Sequence, residues 1–448
     1  MSDLLGIGAS GVRAYQSALT TVSDNIANAA TPGYARRTST MNEISAAGGS
    51  VFQRDVSNGG GVMISGVNRS ADMFRAADVR SASADLSRTE TGITWLDRIE
   101  NALTGNQLSD RLTGFFNSAK TVAADPSATT PRVAMLESAT SVANAFAGTG
   151  RALDSIAADL DATADNAVKS LDQLGAALAK VNDGLGRASP GTANAAQLAD
   201  QRDQLLEQMS AISDVSATID TTGRATVRLG GASGPVFVAG NQSGHVSYAR
   251  NEEGTASFTL QSNGVTVAIS PQGGVLAGIA DGAQRIADAR EQVDAIATQF
   301  VAGVNTVQAG GRDLDGNAGA ALFSVGVQPT EISVSLTDPR GIAAASVGGG
   351  TRDNSNLAAL EAVRNSGGFE GKTTALVASN AATLAGRRTV AEAQSSIRDG
   401  AVAARDAVSG VNIDSEAVDL LRFQQAYQAS ARVIQVARET LQSILSIQ

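Results

Sequence analysis

VNIDSEAVDLLRFQQAYQASARVIQVARETLQSILSI, residues 411–447, carries large apolar side chains at a spacing of seven. The members of this row are Ile413, Leu420, Tyr427, Ile434 and Leu441, and Leu445 lies four residues after the last of them. A spacing of seven places side chains on one stripe of an α-helix, which is the pattern of a seam between helices. The stretch therefore predicts a long helix whose apolar stripe needs a partner.

The start of the chain offers that partner. Its apolar and small residues alternate three and four apart: Leu5, Gly8, Val12, Tyr15, Leu19, Val22 and Ile26. The turn sequence Thr31-Pro32-Gly33 ends this second predicted helix. We predict that the two helices pack against each other and that the rest of the chain is inserted between them.

The same two helices carry a family resemblance. SDNIANAATPGY, residues 23–34, resembles the N-terminal motif of the bacterial flagellar rod, hook and hook-associated proteins. FQQAYQASARVI, residues 423–434, is similar to the C-terminal motif of that family. The motif residues that match are Asn25, Asn28, Pro32, Gly33, Tyr34, Phe423, Gln425 and Tyr427.

Internal segments resemble the branch of the family that joins hook to filament. They are LADQRDQLL at 198–206, GRDLDGN at 311–317 and DNSN at 353–356. The resemblance implies a structural subunit that polymerises outside the cell and is exported without a cleaved signal peptide. The implied partners are further copies of the chain, the hook protein, a second hook-associated junction protein, an export chaperone that binds the C-terminal helix, and the type III export apparatus. The implied assembly interface is formed by the apolar stripes of the two terminal helices.

Periodicity divides the chain into nested parts. Residues 35–65 lose the helical period and predict a linker with some strand, whereas helical seams recur from about residue 70 to 212 and from 276 to 408. Between 214 and 272 the apolar period changes to two, which predicts antiparallel strands. The expected fold is mainly α, with a terminal helical domain (1–34 plus 409–448), a long-helix bundle (35–213 plus 273–408) and a small inserted β-domain (214–272).

Composition argues against several classes of function. The net charge of -10 argues against a nucleic-acid partner. The absence of cysteine excludes thiolate metal sites, and a single histidine, His245, excludes a two-histidine zinc helix. No apolar run approaches the ~20 residues that span a membrane, and no secretory signal peptide is recognisable at residues 1–11. We expect no catalytic residues, cofactor, metal or membrane insertion.

Two motif-like stretches fail on their context. GIGASG at 6–11 lacks the preceding strand that a dinucleotide site needs. The stretch beginning at Asp313 has Ala318 and Ser324 where a calcium loop needs Gly and Glu. Two alternatives stay open: a hook or distal-rod protein of the same family, and a secreted adhesin or enzyme on a similar frame. We also hypothesise that the terminal helices are mobile in the monomer, since isolated helices of this length are marginal.

Overall fold

Helices dominate the chain, which the computed structural model describes over residues 2–44 and 60–446. Within these ranges the α-helices are α1 (Ser2–Ala27), α2 (Met73–Gly105), α3 (Leu108–Ala124), α4 (Thr129–Arg187), α5 (Ala193–Ile212), α6 (Gly274–Gly310), α7 (Ser355–Gly367), α8 (Phe369–Ser409) and α9 (Ile413–Leu445). α1 and α9 lie against each other, as the sequence predicted. The prediction of a mainly α fold with small antiparallel sheets is confirmed.

In the described part of the chain, the strands form four small antiparallel sheets. Two are hairpins, β1 (Arg37–Glu43) with β2 (Val62–Arg69) and β10 (Phe323–Val325) with β11 (Ile332–Val334). The third contains β3 (Val215–Ile219), β4 (Ala225–Leu229), β5 (Val236–Ala239) and β6 (Gln242–Ser243). The fourth contains β7 (His245–Arg250), β8 (Ala256–Ser262) and β9 (Val265–Ile269).

The β1–β2 hairpin supplies the strand expected within the linker at 35–65. It packs on α1, where the Ser10 hydroxyl accepts a hydrogen bond from the Val62 amide at 3.1 Å and the Thr21 and Ser39 hydroxyls lie 2.9 Å apart. The sequence of β1, RTSTMNE, has no apolar alternation, so the apolar pattern did not locate this strand. Residues 45–59 of the expected linker lie outside the described residues.

The helical bundle is closed by aromatic side chains. α2 packs against α6 and α8, and α3 packs against α4. α2 starts at Met73 rather than at about residue 70, because the Asp72 carboxylate caps it by accepting from the amides of Phe74 and Arg75. The ring of Phe300 on α6 lies within 5.3–6.1 Å of five other phenylalanine rings, at positions 115, 116, 146, 323 and 369.

Strands β3–β9 lie within the range expected for an inserted β-domain and share the core of the bundle. Val227, Val246 and Leu260 are buried in the same apolar cluster as the bundle helices. The Phe237 ring approaches α4 at Gly175, where a Cβ would lie 2.6 Å from the ring. The β region is thus packed along α4, and the domain boundaries at 214 and 272 stay a prediction.

Candidate assembly interface

The contact between α1 and α9 is built on small residues. The two helices run antiparallel, since Gly8 lies beside Ile434 whereas Asn25 lies beside Glu416. A Cβ on Gly8 would lie 2.6 Å from Ile434 Cγ1, and a Cβ on Gly11 would lie 2.6 Å from the Ser430 hydroxyl. The glycines therefore let the helices approach closely, as small residues do at other helix contacts.

The predicted stripe of α1 lies beside this contact. Val22 is buried, and the other predicted residues are half-buried: Leu5, Val12, Tyr15, Leu19 and Ile26. The ring of Tyr15 lies near that of Phe423, tilted by 32° and with 6.4 Å between the ring centroids. The stripe is thus only partly used within one chain.

The predicted stripe of α9 is turned further towards solvent. Leu420 and Ile434 are half-buried, but Ile413, Tyr427 and Leu441 are exposed. The side chain of Leu445 lies outside the described part. A row spaced by seven drifts by ~20° per heptad on a straight helix, so it cannot face one partner throughout. Within one chain the row therefore meets α1 only in part, and the assembly interface expected along it stays a prediction.

The α9 residues that do pack against α1 include polar and small ones. Glu416, Ser430 and Ala437 of α9 are buried or half-buried, and Glu416 and Ser430 contact α1. Their heptad spacing is visible in the sequence only if polar and small residues are counted. Glu416 is fully buried, which a charged residue tolerates only with partners.

A polar joint supplies those partners at the end of α1. Asn25 is fully buried, and its Nδ2 donates to Glu416 Oε2 at 2.9 Å and to the Arg37 carbonyl at 2.8 Å. Its Oδ1 accepts from the Tyr34 hydroxyl at 2.9 Å and from the Arg37 amide at 3.0 Å. All four hydrogen-bonding positions of the side chain are filled. Burial is the main cause that raises the pKa of Tyr34.

Arginines extend the polar joint to α9 and α5. Arg36 Nε lies 2.6 Å from Glu416 Oε1. The Asp200 carboxylate on α5 pairs with two arginines. Its Oδ2 lies 2.8 Å from Arg37 Nη2, and its Oδ1 lies 2.5 Å from Arg69 Nε. Burial alone would lower the pKa of Arg69. The negative charges of Asp203 and Asp200 outweigh this effect, so the pKa of Arg69 is raised. The motif at 198–206, the N-terminal motif and the start of α9 therefore meet in one place.

The remaining motif residues lie around this joint. Asn28 bonds within its own turn, to the Asp24 carbonyl at 2.9 Å. The Pro32 carbonyl accepts from Gln204 Nε2 at 2.5 Å, and Gly33 has φ +74°, a conformation that favours glycine. Gln425 is exposed on α9. The residues of the family motifs thus lie at the polar joint more often than along the contact between α1 and α9.

The exposed surface of α9 carries many large apolar side chains among polar ones. Eight of its large apolar side chains are 36–67% exposed: Ile413, Val418, Leu421, Tyr427, Val433, Val436, Leu441 and Ile444. Only Glu416 and Ala437 are buried among the α9 side chains that the structure describes. Exposed apolar patches on this scale usually mark an interaction surface.

Two residues considered in the sequence analysis, His245 and Asp313, contact their neighbours. The His245 ring nitrogen Nδ1 lies 2.5 Å from Asp172 of α4, and the Asp313 carboxylate accepts from the amides of Asp315 and Asn317. In the ranges 2–44 and 60–446, no group of three or more His, Asp or Glu side chains could hold a metal ion. Within the same ranges, no helix combines the length and the apolarity needed to cross a membrane.

A helical frame closed by its first and last helices, with apolar surface exposed along one of them, is typical of a structural subunit that packs against other chains. The family model described as "Flagellar hook-associated protein FlgK helical domain" matches residues 94–323, more than half of the chain. The chain therefore belongs to the FlgK family of flagellar hook-associated proteins. Models of the flagellar basal body rod protein and of the FlgEFG C-terminal region match residues 5–34 and 405–447.

Individual relatives agree with this family. Flagellar hook-associated protein 1 of Salmonella typhimurium is 28% identical over 340 residues, 73% of this chain and 60% of the relative. The chain thus spans about 60% of the length of that relative and of the one from Escherichia coli. The Bacillus subtilis protein of the same description is 23% identical over 97% of this chain and 96% of its own length.

A solved structure shares the fold. It is the flagellar hook junction protein FlgK from Burkholderia pseudomallei, with a TM-score of 0.50 and 22% identity. The match covers 56% of this chain and 47% of that chain.

Proposed function

We propose that this chain is a structural subunit of the bacterial flagellum that polymerises at the junction between hook and filament and serves as a platform for filament assembly. The observation that carries the proposal is the exposed apolar surface of α9, on a chain of the FlgK family. Burial of apolar surface contributes about 25 cal/mol per Å², so covering α9 with neighbouring chains would drive association. No catalytic step is required for this role.

In this proposal, α1 and α9 of neighbouring copies pack into an inner layer through the stripes described above. The half-buried row of α1 and the row from Ile413 to Leu441 are the contact surfaces. The bundle of α2–α8 forms the next layer, and strands β3–β9 face outward. The chain would contact the hook protein on one side and a second junction protein on the other.

Export through the flagellar type III apparatus would precede assembly outside the cell. An apolar helix exposed before assembly is liable to associate wrongly. We therefore expect a cytoplasmic chaperone to cover α9, where Val418, Leu421 and Val436 are exposed, until export.

A hook or distal-rod subunit is the second candidate, because rod-type family models match residues 5–34 and 405–447. The match of the FlgK helical-domain model over residues 94–323 favours the junction. A secreted adhesin or enzyme has no specific observation in its favour.

Deletion of the gene tests the proposal. Bare hooks seen by negative-stain electron microscopy, with unpolymerised flagellin released into the medium, are the expected result. Restoration of filaments by the intact gene is the control. Missing hooks would move the chain to the rod or hook, and normal filaments with normal swimming would overturn a flagellar role.

A further inference from the structure

A cavity of about 210 Å³ lies where the segments that lead to the terminal helices meet the bundle. Its wall combines residues from the loop after α1, the end of β2, the start of α2, α5, β3 and the end of α8. One water molecule needs only ~10–15 Å³ of such space, so the cavity has room for a small ligand. We call it the arginine cavity, after the four arginines that line it: Arg69, Arg80, Arg202 and Arg405.

The carboxylates of the cavity wall already have partners. Asp203 pairs with Arg69 and with Arg202, each at 2.7 Å, and Glu207 pairs with Arg405 at 3.0 Å. The other two carboxylates of the wall are bonded to the first amides of α2 and to Arg405, respectively: Asp72 and Asp406. Each negative charge of the wall is thus engaged by another group.

Arg80 on α2 differs from the other three arginines. Its half-buried side chain makes no hydrogen bond or ion pair with any residue in the part of the chain that the structure describes. The charges that act on it are those of Asp203, Arg202 and Glu207, so its charged end lies on the side of the arginine cavity. Burial is the main cause that lowers the pKa of Arg80, and Arg202 adds to this effect while Asp203 and Glu207 oppose it. Charged groups withdrawn from water normally have a partner.

The charges deep in the cavity are mostly positive, and those at its rim are mostly negative. The side chains of Arg202 and Arg69 are only 7% and 15% exposed, whereas those of Glu207 and Asp406 are 41% and 55% exposed. Asp203, which is 22% exposed, is shared between two arginines. Water and salt screen the exposed carboxylates more than the buried guanidinium groups, so the interior favours a negative ligand.

We propose that the arginine cavity binds a small oxyanion of the phosphate or sulfate class, held by the guanidinium group of Arg80. This group presents a planar fork of N–H donors that matches the oxygens of such an anion. The anion would supply the acceptors and the negative charge that Arg80 lacks among the described residues. The inference goes beyond the proposed function, since it concerns a single chain before any contact with neighbours.

A bound anion would fix α2 relative to the segments that connect the terminal helices to the bundle. The cavity wall includes residues 33–35 after α1 and Ser409 at the end of α8, just before α9 begins at Ile413. A ligand that binds only one arrangement of these segments stabilises that arrangement. Phosphate should therefore slow hydrogen exchange around the cavity and leave the start of α4, which packs against α3, unchanged.

Equilibrium dialysis of radiolabelled inorganic phosphate against the purified full chain, at constant ionic strength, tests the site. We expect saturable binding of one phosphate per chain. Arg80→Met should weaken binding about tenfold or more, because it removes hydrogen bonds between charged groups. Arg75→Met is the matched control, since it removes the same group from the same helix at a side chain that is 50% exposed and lies 3.8 Å from Asp78. Its affinity for phosphate should equal that of the unmodified chain.

A second variant, Arg80→Lys, keeps the positive charge but not the planar fork. Its affinity should lie between those of the unmodified chain and of Arg80→Met, and circular dichroism in phosphate-free buffer checks that each variant is folded. Absence of saturable binding to the unmodified chain would overturn the inference. Equal affinity of the unmodified chain and of folded Arg80→Met would also overturn it. If Arg80→Met does not fold, unchanged affinity of Arg80→Lys is the result that contradicts the site.

Hydrogen exchange locates the bound anion. Phosphate should slow exchange at residues 33–35 and in the first turns of α2, both in the unmodified chain and in Arg75→Met, but not in Arg80→Met. Sodium chloride at the same ionic strength controls for general screening by salt. Slowing confined to other regions, or equal slowing by sodium chloride, would overturn the inference. Since these measurements do not involve assembly, their failure would leave the proposed function intact.

Discussion

The bundle and the α1–α9 pair follow the same helical spacing but differ in how far they are closed. Phe300 in the bundle is fully buried and surrounded by five aromatic rings. Of the α9 side chains described, only Glu416 and Ala437 are buried. The difference indicates that the bundle stabilises the single chain, whereas α9 leaves large apolar side chains exposed.

The largest effect is expected in the closed region. Phe300→Ala should lower the free energy of unfolding by about 3–5 kcal/mol, because a buried ring is replaced by a cavity among five others. The measurement is urea denaturation followed by circular dichroism. Phe74→Ala removes the same atoms from a ring that is 77% exposed, and should change stability by less than about 0.5 kcal/mol. Equal losses for the two variants would show that the bundle core is not closed as described.

A substitution in the polar joint should destabilise the α1–α9 pair and leave the bundle unchanged. Asn25→Ala leaves the Tyr34 hydroxyl and the Arg37 amide without their acceptor, at about 1–3 kcal/mol for each buried group. We expect amide hydrogen exchange in α1 and α9 to quicken by an amount equivalent to about 2–4 kcal/mol, with α4 unchanged. Even in the unmodified monomer, α1 and α9 should exchange faster than α4.

A matched control for this variant is Asn28→Ala, since Asn28 bonds only within its own turn and to Thr31 among the contacts described. Its effect should be much smaller. If Asn25→Ala slowed or accelerated α4 as much as α9, the joint would belong to the bundle rather than to the terminal pair.

Sequence spacing predicted the long helices and the α1–α9 pairing because both depend on apolar residues that recur along one element. The residues that fix the joint could not be predicted in this way. Glu416 and Asp200 are charged, and their burial depends on arginines more than a hundred residues distant in the chain. The motif at 198–206 contains Asp200, but its letters do not show that the fold brings this residue to Arg37 and Arg69.

The outward rotation of the α9 stripe was missed for a different reason. A row spaced by seven indicates a partner without saying whether that partner belongs to the same chain. Small residues of α1, as at Gly8 and Gly11, let α9 pack closely at Ser430 and Ile434. Packing of this kind depends on glycines, which have no side chain. A search for recurring apolar side chains therefore does not detect it.

Two glycines of α1 provide a sharper test of that close approach. Gly8→Val should weaken the α1–α9 contact by about 1–3 kcal/mol, because a Cβ there already lies 2.6 Å from Ile434 and 3.3 Å from the Ser430 carbonyl. Gly6→Val makes the same change where no atom lies within 4 Å, and should be neutral or slightly favourable. Faster limited proteolysis of α9 in the Gly8 variant alone is the expected reading; equal digestion of both variants would contradict the packing.

The smallest effect is expected at the turn between β3 and β4, within the closed region. The Thr222 hydroxyl, followed by the amides of Arg224 and Thr222 and the Arg224 side chain, lowers the pKa of Asp220 to about 2. A lowered pKa means that the carboxylate stabilises the fold above its ordinary value of 3.8 and loses this contribution as the pH falls through about 2. Since the group is almost fully exposed, Asp220→Asn should cost less than about 1 kcal/mol at pH 7.

Urea denaturation of the Asp220→Asn variant at pH 7 and at pH 2 measures this contribution. The difference from the unmodified chain should shrink as the pH falls towards 2, because both chains then carry a neutral side chain at this position. Hydrogen exchange of α9 should be the same in both chains at pH 7, since the turn is bonded within itself, from Asp220 to Thr222 and Arg224. A change in α9 would mean that the β region and the terminal pair are coupled through the bundle, and the contrast between a closed and an open region would then fail.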